Sequence, residues 1–228
     1  MRDSGPRAAP RPGAAVTVGT GDIDAVLLAA GQSTRMGDAN KLLLTFGGRP
    51  VVRHCAETIL GTDVGTPVVV TGYEADRIGE ALQELPTTIR FNPQFEAGQK
   101  TSVACGLRAL TELGRKPKGV MICLADMPYL EQADYHMLAG SFLRRDADRI
   151  TVPDFAGKRG NPVVLPWRLI GEASHTGLDT GCRRLIERRP NDVERVAVNS
   201  SAFIRDIDTP PDYAQALRAA HPGTPCCG

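Results

Sequence analysis

The residues best suited to chemistry stand in a loop behind a short apolar run. In LLAAGQSTRMGDANK, Leu27 to Lys41, the apolar run ends at Gly31, and Arg35, Gly37 and Lys41 follow among small and polar residues. Gly31 lets the backbone approach a ligand closely, so that successive loop N–H groups face anionic oxygens. Arg35 can fork onto two oxygens, while Lys41 supplies a movable point charge. A ligand rich in phosphate oxygens, such as a nucleoside triphosphate, suits that set. So does the plainer reading, a glycine-rich βα turn with two solvated cations. The spacing is not G-x-x-x-x-G-K-[ST], which excludes a Walker A loop.

A carboxylate comes next. Asp126 follows the apolar run GVMICLA, and Pro128 stops the run from continuing. Burying such an acid is costly unless it is paired or meets a cation. A hard oxygen ligand beside phosphate-binding cations points to Mg²⁺, which takes one or two carboxylates plus phosphate oxygens. The alternative is a helix N-cap, although Pro128 and Tyr129 separate Asp126 from the next helical pattern. IRDIDTPPDY, 204–213, adds Asp206, Asp208 and Asp212. An Asp beside a helix start is a cap by default, whereas alternation along FIRDID would turn Asp206 and Asp208 to one face of a strand, toward the same metal.

These groups need elements to place them. DAVLLAA (24–30), PVVVTG (67–72) and GVMICLAD (119–126) read as strands covered on both faces. TTIRF (87–91) reads as a short strand, and DRITVPDF and NPVVLPW as two more, joined by AGKRG. Helical patterns run over 49–60, 74–85, 100–113, 131–145 and 180–189, with a strand near 193–198 and a last helix from Pro211. The alternation predicts an α/β fold: a single-domain, three-layer, Rossmann-like sheet, mostly parallel, with helices on both faces and a small antiparallel insertion at 150–165. Ligands of such sheets sit beyond the carboxyl ends of the strands. There the loop at 31–41, the loop holding Asn92, Pro93, Gly98 and Gln99, and Asp126 would share one rim. Residues 1–21 and 221–228 read as tails around a domain at 22–220.

The 228 residues suit one domain, and a formal net charge of +1 gives no bulk case for nucleic acid or an anionic membrane. No apolar run nears the roughly 20 residues of a membrane span. The chain has 6 cysteines, with no C-x-x-C and no zinc-finger spacing, as expected in a reducing cytoplasm. No G-x-G-x-x-G follows the first strand, which disfavours a dinucleotide-dependent dehydrogenase. His54 falls in a helical pattern, as a partly buried residue and not a catalytic one.

LLAAGQSTRMGDANKLL resembles the signature of the molybdenum cofactor nucleotidyltransferases, L-A-[AG]-G-x-S-x-R-M-G followed by a lysine–leucine pair. NPQFEAGQKTSVACGL, CLADMP, GNPVVL and IDTPPDY resemble that family's later motifs in the same order, across roughly residues 22–220. Ala30 and the NP…GQ…S segment are most similar to the members that make the cytosine form of the cofactor. The family's G-D-x-G-A-R motif reads here GLDTGCR, with Leu178 before Asp179 and Cys182 in place of alanine.

The resemblance implies a nucleotide-diphospho-sugar transferase-like fold and a Mg²⁺-dependent transfer of CMP from CTP to the terminal phosphate of the molybdenum cofactor. It implies that Lys41 and Arg35 hold the departing pyrophosphate and that Asp126 and Asp208 bind the metal. Ser102 and the Gly98–Gln99 turn would meet the base or ribose, Leu28, Ala29, Ala30, Gly31 and Asn92 would also belong to the binding site, and Asp179 and Arg183 would lie near the acceptor. The downstream partner implied is a molybdoenzyme of the xanthine/CO dehydrogenase type or its maturation chaperone. The rivals are guanylyl transfer, another nucleotidyltransferase of the same fold, and a cofactor chaperone that binds without turnover.

Overall fold

The computed structural model describes residues 22–145, 147–174 and 182–220. The expected tails and Asp179 lie outside them. The first half runs β1 (Ile23–Ala29), a small hairpin of β2 (Thr45–Phe46) and β3 (Arg49–Pro50), α1 (Val51–Leu60), β4 (Val68–Thr71), α2 (Ala75–Ala81), β5 (Thr88–Phe91) and α3 (Gln99–Glu112). It continues with β6 (Gly119–Leu124), α4 (Gln132–Leu143), β7 (Ile150–Phe155), β8 (Lys158–Arg159), β9 (Val163–Pro166), α5 (Ile170–Ala173), α6 (Cys182–Arg188), β10 (Val193–Ala197) and α7 (Pro210–Ala220).

The large sheet has the order β10-β7-β9-β6-β1-β4-β5, with β8 paired to β7. β5, β4, β1 and β6 are mutually parallel, as are β10 and β7. β9 runs antiparallel between β6 and β7, so the antiparallel insertion is a whole strand as well as the β7–β8 hairpin. Ala156 and Gly157 close that hairpin with φ of 50° and 81°, and Gly157 N donates to Asp154 Oδ1 at 2.7 Å. Positive φ at both central residues matches the twist of the flanking strands.

Successive residues of β1 serve opposite layers, as the strand period requires. Ala25 and Leu27 pack with Val52, Ile59, Tyr135 and Phe142 of α1 and α4. Val26 and Leu28 pack with Leu107 and Leu110 of α3 and with Ile170 of α5 on the other side. Burial on both faces explains why β1 is an unbroken apolar run.

Gly106 brings α3 close to this sheet: a Cβ there would lie 2.3 Å from Val26 Cγ1 and 3.0 Å from Val70 Cγ2. Helix propensity alone favours Ala over Gly by about 1 kcal/mol, but a methyl forced into packed side chains costs about 1–3 kcal/mol. Gly106→Ala is therefore expected to lower stability in urea unfolding; a rise in the midpoint would refute this packing argument.

Two expectations need correction. The helix expected over 74–85 ends at Ala81, because 82–84 form a turn with Glu84 at φ 69°. The FIRDID segment is not a strand: Ser201–Ile204 form a 3₁₀ turn and 205–208 run unpaired alongside the sheet. Arg205 N donates to Ala202 O, and the following residues are held by Ile207 N on Asp126 O at 2.9 Å.

Candidate active site

A cleft of about 320 Å³ opens beyond the carboxyl ends of β1 and β6. Its floor is Leu28, Ala30 and Leu124; one wall is the loop Gly31 to Arg35 with Lys41, the other is Phe95, Gly98, Gln99 and Ser102, and Asp126 and Asp208 stand at one end. A Cβ built on Gly31 would meet no atom within 4 Å, so the bare backbone is open to a ligand. Gly98, at φ 98°, starts α3, and the first turn of that 14-residue helix presents its positive end to the same space.

The wall that carries Ser102 is held from behind. Asn92 is 2% exposed, and its amide donates to Thr101 Oγ1 at 2.9 Å and Ser102 Oγ at 3.0 Å. Its carbonyl accepts from Gln94 N at 3.0 Å. Ser102 thus has its oxygen held in place by the Asn92 amide. Across the mouth, Gln32 Nε2 donates to Glu96 Oε1 at 3.4 Å.

At the acidic end the charges interlock. Lys41 Nζ donates to Asp126 Oδ2 and to Asp208 Oδ1, each at 2.6 Å, and Arg35 Nη2 meets Asp208 Oδ2 at 2.7 Å. The Lys41 side chain is only 12% exposed. Burial pushes its ammonium down, but the Asp126 and Asp208 carboxylates together outweigh burial and hold it above its ordinary value.

Asp126, Asp206 and Asp208 each offer a carboxylate oxygen within 4.8 Å of the others. Burial, then repulsion from Asp126 and Asp208, raises the Asp206 carboxyl above the usual range. Asp126 Oδ1 is buried without a hydrogen-bond partner. A set of hard oxygen donors with an orphaned atom among them fits Mg²⁺ or Mn²⁺ and suits neither a thiolate metal nor a structural zinc. The N-cap alternative for Asp126 fails, because α4 is capped by Glu131 in a capping box with Asp134. Asp212 does act locally: it accepts from Asp208 N at 3.2 Å and Thr209 N at 2.8 Å.

The model of the MobA-like NTP transferase domain matches residues 25–194. The chain belongs to the MobA-like NTP transferase family. A probable molybdenum cofactor guanylyltransferase of Natronomonas pharaonis is 31% identical over 205 residues, covering 86% of this chain and 97% of that one. A nicotine blue oxidoreductase of Paenarthrobacter nicotinovorans is 26% identical over 198 residues, covering 82% and 92%. The bifunctional protein GlmU of Bifidobacterium longum subsp. infantis is 26% identical over 192 residues; the match takes in 81% of this chain, which spans 37% of that longer protein. A nucleotidyl transferase from Methanothermobacter thermautotroptrophicus has the same fold, with a TM-score of 0.73, 22% identity and coverage of 87% and 97%.

Leu28, Ala30, Gly31, Arg35, Lys41, Gly98, Gln99, Ser102 and Asp126 of the matched domain line one cleft, which Asp208, beyond the matched residues, completes. Ala29 and Asn92 do not: Ala29 is buried in the core, and Asn92 acts through the hydroxyls it holds. Arg183 sits apart, 81% exposed and paired with Glu187 at 3.0 Å, beside a smaller pocket that shares Gly98 and Gln99. Phe95, Gln32 and Glu96 were not singled out by the sequence, since nothing in their spacing marks them. No helix among the described residues is long and apolar enough to cross a membrane.

Proposed function

We propose that this protein transfers CMP from CTP to the terminal phosphate of the molybdenum cofactor, releasing pyrophosphate. The observation that carries the proposal is the convergence of Lys41 and Arg35 with Asp126 and Asp208 at one end of a cleft that also holds the Gly31 loop, Ser102 and the start of α3.

The acceptor is a phosphate monoester, mostly dianionic at neutral pH because its second pKa is about 6. It needs no strong base. An acceptor oxygen forms a bond to the α-phosphorus of CTP as the α–β bridging bond breaks, and pyrophosphate leaves with the electron pair. The protein's part is positioning and charge neutralisation. Gly31 and the first turn of α3 offer N–H groups to the phosphates, Ser102 holds the nucleoside, and Lys41 and Arg35 turn from the carboxylates to the leaving pyrophosphate. Mg²⁺ on Asp126 and Asp208, with Asp206 beside them, would supply the remaining neutralisation. The nucleotide-bearing product would pass to a molybdoenzyme of the xanthine/CO dehydrogenase type or to its maturation chaperone.

Base choice rests on the floor. Ala30 is 6% exposed and packs so tightly that a Cβ on Gly72 would lie 2.9 Å from its methyl and 2.5 Å from Phe95 Cβ. A floor closed in this way favours a pyrimidine, and polar groups set for one base are left unpaired by another. CTP is expected to exceed GTP in kcat/KM by at least about a hundredfold, and Ala30→Gly to narrow that margin without reversing it. The relative named as a guanylyltransferase supports GTP as the second reading.

Competition among all four triphosphates on one cofactor preparation, with Mg²⁺ and pyrophosphate release as readout, decides between them. Equal use of GTP and CTP overturns the cytidylyl assignment. Binding without pyrophosphate release leaves a chaperone. The relative named as an oxidoreductase sets a further control, hydride transfer from a nicotinamide dinucleotide, which the loop GQSTRMG is poorly built to support.

A further inference from the structure

The turn that carries Asp126 is gripped from outside its own strand. Cys55 Sγ donates to Ala125 O at 3.4 Å, Ile207 N donates to Asp126 O at 2.9 Å, and His54 Nε2 lies 3.1 Å from Pro128 O. A carbonyl only accepts, so Nε2 bears the hydrogen and Nδ1 is the bare acceptor. That Nδ1 is buried and has no hydrogen-bond partner. Leaving such an atom unsatisfied is destabilising, a cost an apolar side chain of similar size would avoid.

The imidazole also begins a row of rings. Phe46 meets His54 edge-on at 4.8 Å and Tyr129 edge-on at 6.1 Å. The Arg205 guanidinium covers the Tyr129 ring at 3.8 Å. Arg205 immediately precedes Asp206, and Tyr129 lies three residues beyond Asp126. One row of side chains therefore ties α1 to both segments that supply carboxylates.

We infer that His54 is a positioning residue for the carboxylate cluster, fixing the Ala125–Pro128 turn so that Asp126 faces Asp206 and Asp208. The inference rests on the proposed metal-assisted transfer and deepens it. His54 touches neither the cleft nor a reacting atom; it acts through Pro128 O.

His54→Phe keeps a ring against Phe46 and loses the donor. His54→Gln restores an amide N–H that can reach a carbonyl. Each variant is titrated with Mn²⁺ alone by electron paramagnetic resonance, assayed for kcat and KM with CTP, and melted. His54→Phe is expected to weaken Mn²⁺ binding and lower kcat by about 10–100-fold, as loss of an outer partner of a metal ligand does. KM for CTP and the melting temperature should hold, and His54→Gln should recover most of the loss. Unchanged Mn²⁺ affinity in a folded His54→Phe overturns the inference. A loss that follows the melting temperature and is not rescued by Gln overturns it too, as does wild-type protein that binds no Mn²⁺. Should His54→Phe not fold, His54→Gln and His54→Asn decide by the same titration, Asn being too short to reach Pro128 O. Absence of transfer by the wild type with Mn²⁺ binding intact defeats the proposed function alone.

Discussion

Asp126→Asn is expected to lower kcat by at least about a hundredfold, the scale on which removal of one preorganised charged or polar group acts. The amide keeps the shape of the carboxylate and loses the charge that both Lys41 and a divalent cation require. Folding should change little, because the side chain is 18% exposed and its inner oxygen already lacks a partner. The amide carbonyl can still accept from Lys41, so the turn keeps its contact with the loop. Steady-state transfer at several Mg²⁺ concentrations, with a melt alongside, checks the prediction. Near-normal turnover at ordinary Mg²⁺ would remove Asp126 from the mechanism.

Lys41→Ala should separate catalysis from binding. Charge on the leaving pyrophosphate grows in the transition state, so a lysine that holds it contributes more to kcat than to KM. A fall in kcat of about a hundredfold with KM for CTP changed little is the expected pattern. The structure adds a second expectation. Lys41 lies between two carboxylates, and removing one partner from a largely buried ion pair leaves like charges facing each other. The variant should lose on the order of 1–3 kcal/mol in a chelator and regain much of it when Mn²⁺ is added. A pure rise in KM would make Lys41 a binding residue only, and a melt insensitive to Mn²⁺ would separate the lysine from the acidic cluster.

What the sequence made legible follows from burial. Val26 and Leu27 face opposite layers and both are wholly buried, so β1 reads as a strand from residue type alone, and Gly31, Arg35 and Lys41 are then placed by topology. Asp126 was legible because an acid after an apolar run demands a partner. β9 was legible as a strand but not in its direction: Val163, Val164 and Leu165 are buried on both faces, and nothing in them distinguishes a parallel neighbour from an antiparallel one. Asp206 joins the cluster from an unpaired segment, not from strand alternation, because a 3₁₀ turn resets the chain just before it. His54 carries no local sign of its work, since its partner, the Pro128 carbonyl, lies 74 residues away.

The double grip of Lys41 on Asp126 and Asp208, with Arg35 on the far oxygen, has a consequence for how the cleft meets a polyanion. Lys41 and Arg35 face Asp126 and Asp208 at its acidic end, so those pairs largely cancel and, on the proposed mechanism, the Asp206 carboxylate is left for a divalent cation to offset. Moving the ammonium from carboxylate to phosphate trades one anionic partner for another, and the ion need not be stripped to vacuum or returned to water between them. On the proposed mechanism, ligand entry at this end is thus an exchange of counterions, and departure of the products would close the cycle by restoring the internal pairs.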